Sequence, residues 1–112
     1  MVALPGAAVP PDHHRVIFEN DEVRVLETTI PPGVVTPLHT HLLPQVMYVV
    51  SPSRFIRRDE DGAAMFDSRA DPSFVMPRVL YAASTPRRTS ENTGADGLVV
   101  IGVELKRAAQ AG

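Results

Sequence analysis

The chain contains no cysteine, which excludes disulfides, thiolate nucleophiles and thiolate metal sites. Lysine is nearly absent too: Lys106 is the only one, and every other basic side chain is arginine. That is a compositional bias and points to no function. No stretch approaches the roughly 18 apolar residues of a membrane span. Neither acidic nor basic residues dominate, at 13 and 11. The net charge is -2 and the isoelectric point about 6.0, so nothing recruits nucleic acid or an anionic membrane surface. The N-terminal MVALPGAAVPP has neither the basic start nor the long apolar core of a secretion signal, so the expected location is cytoplasmic.

What is present is an ordinary globular balance, 44% hydrophobic and 21% charged over 112 residues, enough for one domain with a modest core. A homodimer is expected as a way to cover leftover apolar surface at this size. Eleven prolines and seven glycines leave few windows for a helix, and the pattern is short and β-like. Met1 to Asp12 is a Pro- and Ala-rich irregular arm, able to cross to a second copy. His14 to Phe18 and Val23 to Ile30 are predicted strands around an Asn20-Asp21 turn. Pro31-Pro32-Gly33 breaks the chain. Val34 to His41 is extended again, and Gln45 to Val50 is the most apolar strand. Ser53 to Arg58 and Ala63 to Asp67 flank an Asp61-Gly62 hairpin turn. Val75 to Ala82, Arg88 to Glu91 and Leu98 to Leu105 complete the set, and Lys106 to Gly112 is a tail with a frayed helical turn. About eight short strands at roughly ten-residue spacing predict an all-β sandwich or barrel.

The informative motif is Gly33-x5-His39-x-His41-x3-Gln45. Residues two apart in a strand face the same side, so His39 and His41 can present both imidazoles to one point. That suits a divalent transition metal. The alternative is a pair of surface or locally hydrogen-bonded histidines. His13 and His14, as immediate neighbours, are expected to point apart.

The context of that motif resembles the cupin family. Its first motif, G-x5-H-x-H-x3,4-E-x6-G, fits from Gly33 through Gln45. Its second, G-x5-P-x-G-x2-H-x3-N, fits in spacing from Pro77 through Asn92. The likeness runs from VIFENDEVRVLE to VELK and is closest to small single-domain bacterial cupins. It implies a double-stranded β-helix, or jelly-roll barrel, over residues 1–112. It also implies a metal such as Fe, Mn, Ni or Zn held by His39, His41, the residue at 45 and the residue at 88. The ligand set has changed, however. Gln45 stands in place of the glutamate and Arg88 in place of the third histidine, while Asn92 is retained. Pro52 replaces the closing glycine of the first motif, and Pro77, Ala83 and Thr85 replace glycine, proline and glycine of the second.

Arginine has no lone pair to donate and is always protonated. A dication and a guanidinium about 4 Å apart repel by roughly 8 kcal/mol at an effective dielectric of about 20. The same residues suit an anion, because a guanidinium forks onto a carboxylate or phosphate. Two functions follow. One is a module binding a small anionic molecule through His39, His41, Gln45, Met47, Tyr81 and Arg88. The other is a metal-dependent dioxygenase or isomerase using His39, His41 and Gln45 as ligands, with Glu104 or Glu27 as further acid–base candidates. Arg88 faces inward on the family spacing and Arg87 outward. Tyr81 occupies a position that the resemblance makes aromatic. Arg54, Arg57 and Arg58, beside Asp59, Glu60 and Asp61, read as a solvated hairpin with local ion pairs.

Overall fold

The computed structural model describes residues 14–107, with the side chains at 41, 85 and 86 excepted. The arm over residues 1–12, His13 and the tail beyond 107 lie outside the described residues.

Nine strands are present among the described residues: β1 (His14–Glu19), β2 (Val23–Ile30), β3 (His39–His41), β4 (Gln45–Ser51), β5 (Phe55–Asp59), β6 (Ala64–Asp67), β7 (Val79–Ala82), β8 (Thr85–Asn92) and β9 (Leu98–Leu105). A single 3-10 turn, Ser68–Ala70, follows β6. No helix among the described residues is long and apolar enough to cross a membrane. The strands form a five-stranded sheet, β1-β2-β9-β4-β7, and a four-stranded sheet, β3-β8-β5-β6. Every pairing is antiparallel.

The turns follow from local chemistry. The Asn20 carboxamide accepts hydrogen bonds from the backbone N–H groups of Glu22 and Val23, at 2.8 and 2.9 Å, which closes the β1–β2 corner as an Asx turn. The β5–β6 hairpin closes in the same way. Asp59 Oδ1 accepts from the N–H groups of Asp61 and Ala63, and Gly62 supplies the left-handed residue at φ 85°. Pro31-Pro32-Gly33 ends β2. Gly33, at φ 79°, turns the chain so that residues 33–36 run alongside β8: Gly33 N–H donates to Asn92 O, and Thr36 N–H to Ser90 O, both at 2.8 Å.

β9 is the axis of the larger sheet, paired on both sides by β2 and β4. Leu98, Gly102 and Glu104 are buried on its inner face. The core is Leu26, Ile30, Val49, Ile56 and Leu98, joined by Phe55, whose ring is 5.0 Å from that of Phe66. Asn92 ties the strand ends together and is fully buried. Its Nδ2 donates to the carbonyls of Ile30 and Asp96, and its Oδ1 accepts from Ser53 Oγ and Gly94 N–H. All four valences of one amide are used, so this motif residue is structural.

Candidate functional site

The two sheets enclose a cavity of about 80 Å3 lined from both sides. The larger sheet supplies Leu26, Ile30, Met47, Leu98 and Val100 together with the polar His14, Thr28 and Gln45. The opposite wall comes from β3, β5 and β8 and is polar: His39, Arg57, Arg88 and Ser90.

Arg88 sits on β8 directly opposite His39 on β3 and is only 6% exposed. Its neighbour Arg87 turns outward, 3.7 Å from Glu60, as alternation requires. Arg57 was expected on a solvated hairpin and instead reaches the cavity. The register explains it. Arg57 pairs with Ser90, Ser90 shares the inward face with Arg88, and so Arg57 must follow. The other two arginines of that cluster do stay outside. Arg58 pairs with Glu91 at 2.7 Å, and Arg54 binds the carbonyls of Ser68, Asp71 and Pro72.

The two inward guanidiniums are unlike every other arginine of the chain. Six others reach a carboxylate, and two bind backbone carbonyls. Arg88 Nε and Nη1 and Arg57 Nε are buried without a hydrogen-bond partner among the described residues. No described acidic side chain lines the cavity. Asp59 faces Arg88 across the β5–β8 ladder, but its Oδ1 holds the hairpin turn. Burial pushes the Arg88 guanidinium down to about 10, with the neighbouring Arg57 charge adding to the effect, and burial lowers Arg57 as well. Like charges about 7 Å apart, the spacing of diagonal neighbours in a sheet, repel by roughly 2 kcal/mol at a dielectric of about 20. The Phe55 ring under Arg57, 5.5 Å from its guanidinium carbon, offsets part of this.

The remaining polar groups are fixed by the backbone. His39 Nδ1 is 2.8 Å from the Pro37 carbonyl. A carbonyl can only accept, so Nδ1 carries hydrogen and Nε2 is the lone-pair nitrogen of the neutral ring. Gln45, 5% exposed, lies over Gly102. A Cβ there would fall 2.6 Å from Gln45 Oε1, so the glycine makes room for the amide. His14, set aside on sequence grounds, lines the cavity. Its ring meets that of His39 edge-on at 5.3 Å, and Thr28 Oγ1 lies 3.5 Å from its Nδ1. Only the β1–β2 pairing of His14 with Thr28 reveals this, and no local motif signals it.

Of the residues expected to bind ligand, His39, Gln45, Met47 and Arg88 line the cavity together. The His41 side chain lies outside the described residues. Tyr81 does not belong with them: it is 64% exposed and pairs with the outward Val46. Because Gln45 faces inward opposite Ala82, Tyr81 must face out. The other acid–base candidates are committed as well. Glu104 is buried against Arg24, Oε1 to Nε 2.6 Å, and Glu27 pairs with Arg15 at 3.0 Å.

No protein-family model matches the sequence, and no curated protein does. Solved structures do match. A cupin domain from Bordetella pertussis Tohama I superposes with a TM-score of 0.65, at 17% identity over 95% of this chain and 99% of that one. The fold is that of the cupins. A cupin-family protein with a double-stranded β-helix from Methanocaldococcus jannaschii gives a TM-score of 0.61, at 12% identity over 88% of this chain and 83% of that one. A double-stranded β-helix protein from Klebsiella pneumoniae gives 0.57, at 16% identity over 87% and 75%. At these identities the likeness concerns the cupin fold alone, and the chemistry has to come from the cavity.

Proposed function

We propose that this cupin-fold protein binds a small anionic molecule inside the barrel, with Arg88 as counter-charge and His39, Gln45 and Met47 as further contacts. Arg57 and His14 join that set, and His41 stays in it as the second histidine of the motif. One observation carries the reading. The buried guanidinium of Arg88 and the half-buried one of Arg57 share a cavity with no described acid, and three of their N–H-bearing nitrogens are buried without a partner among the described residues. A buried charge held this way is costly unless something pairs with it, and a carboxylate or phosphate oxygen is the group that does so best.

A divalent metal fits these residues poorly. Gln45 is a neutral ligand where a carboxylate would offset the metal's charge, and Arg57 and Arg88 bring like charge to the same space. The hydrogen bond from His39 Nδ1 to the Pro37 carbonyl is the arrangement of a metal-ligating histidine, and with the His14 ring 5.3 Å from that of His39 it favours the metal-dependent alternative. Elemental analysis of protein purified without metal-affinity resin separates the two. Near-stoichiometric transition metal that is lost in a His39→Ala, His41→Ala variant would favour the enzyme. Binding itself is tested by thermal shift against small organic and inorganic anions. Stabilisation in the native protein that disappears in Arg88→Ala is expected, and no stabilisation by any anion would refute the proposal.

A further inference from the structure

Resting on that reading, we infer that the occupant of the cavity is a small dianion: two negative charges within one compact molecule, matched to the two guanidiniums of Arg57 and Arg88. The charge count follows from the positions of the side chains. Arg57 and Arg88 are on adjacent strands, on one face, and open on one cavity. Neither has a carboxylate partner among the described residues, whereas Arg58 and Arg87, next to them in sequence, each have one. A monoanion between the two would leave a net positive charge in a space with no described acid to balance it. A dianion neutralises both, and the unpaired nitrogens lie on both side chains: Nε and Nη1 of Arg88 and Nε of Arg57. An occupant touching only one of them leaves the other orphaned.

The cavity also sets a limit on size. With about 80 Å3 and an open side, it takes inorganic phosphate, sulfate or malonate whole, whereas citrate would have to protrude from it. Leu26, Ile30, Leu98 and Val100 line the side across from the arginines, beside His14, Thr28 and Gln45, so charged groups crowd toward the guanidiniums, and a short carbon spacer is accommodated against the apolar side chains.

The test is calorimetric titration of the whole chain at pH 8 and constant ionic strength. The ligands are phosphate, sulfate and malonate as dianions, acetate and butyrate as monoanions, and citrate as the oversized control. Dianions are expected to bind at least tenfold more tightly than monoanions, with citrate weaker than malonate. Malonate ahead of phosphate assigns a dicarboxylate, and the reverse order assigns a phosphoryl group. In Arg57→Gln the preference for dianions should fall to within about twofold while monoanion binding persists. Arg57→Lys, which keeps the charge, should retain the preference. Monoanions binding as tightly as dianions to the native protein would overturn the charge count and leave anion binding standing. No binding of any anion would overturn both.

Discussion

Replacing Arg88 by methionine should make the ligand-free protein more stable while removing its anion affinity. Methionine keeps the length and apolar stem of the side chain and deletes the charge and the two unpaired nitrogens, Nε and Nη1. Burial pushes the guanidinium from the usual arginine range down to about 10. At about 1.4 kcal/mol per tenfold change, that displacement corresponds to roughly 3 kcal/mol of unfavourable charging in the folded state. Removing an uncompensated buried charge should recover on the order of 1–3 kcal/mol, or a rise in Tm of about 5–10 °C for a domain near this size. The pH dependence gives an independent check. Arg88 in the folded state loses its proton at lower pH than in the unfolded state. Over that window the unfolded chain binds more protons, so the native protein gains stability as pH climbs through and past 10. The stability gap between Arg88→Met and the native protein should therefore narrow from pH 10 upward. Groups common to both proteins cancel in the difference. Differential scanning calorimetry at pH 7 and pH 10.5, with titration by an anion at pH 7, measures all three quantities. A Tm lowered by several degrees at pH 7, as for an ordinary core substitution, would refute the reasoning, as would undiminished anion binding.

Asn92→Ala should cost about 3 kcal/mol or more, read by urea denaturation, because four hydrogen bonds meet on that buried amide. Gly102→Ala places a methyl 2.6 Å from Gln45 Oε1. Since that oxygen is the end of a flexible side chain, a stability loss of about 1 kcal/mol with a larger, several-fold loss of anion affinity is expected by titration. The pair Gln45→Glu and Arg88→His restores a carboxylate and an imidazole where the cupin resemblance has them. Tight zinc or nickel uptake, measured by elemental analysis, is expected only when Arg57→Gln is added to relieve the remaining like charge. The homodimer expected from chain size is proposed to form through the outer face of the five-stranded sheet. There Tyr81, Val46, Val103, Val25 and Phe18 run in register from edge to edge. Tyr48→Glu beside that stripe should give a monomer in sedimentation, and an unchanged dimer would exclude this face.

The strands with the strongest local signals were the ones legible in the sequence. Val23–Ile30 and Leu98–Leu105 occur at their expected bounds, because β-branched runs end there against Pro31 and the Asn92–Gly97 turn. β7 is shorter than the expected Val75 to Ala82 and begins only at Val79, since Pro77 has no N–H to give a ladder. β8 is longer than expected and runs from Thr85 to Asn92. The stretch Val34 to His41 is not one strand. It makes a bridge at Val35 opposite Glu91 and then the three-residue β3, with an irregular register between His39 and His41. The inward turn of Arg88 was legible from the motif spacing. Arg57 and His14 were not, because which face a side chain takes depends on its strand's partner. Neither the pairing of Arg57 with Ser90 nor that of His14 with Thr28 leaves a mark in nearby sequence. Tyr81 faces outward for the converse reason: the resemblance places it by position, but the inward Gln45 opposite Ala82 sets the alternation of its strand.

Arg24 and Glu104 show what this barrel does with a buried charge when it has only stability to satisfy. They lie opposite each other across the β2–β9 ladder, at 4% and 1% side-chain exposure, with Nε and Oε1 2.6 Å apart. The same fold, with the same means available, leaves Arg57 and Arg88 without a described acid. Glu91, close by on β8, pairs with Arg58 on the outer side instead. A sequence selected only to fold would lose by keeping two such side chains, since an apolar replacement of similar volume is neutral or stabilising. On the reading proposed above, two such side chains facing one cavity are a binding site whose last partner arrives from solution. The sign of that partner is set by the guanidiniums and not by the histidines. His39 can donate or accept according to its protonation, whereas an arginine can only donate and attract negative charge.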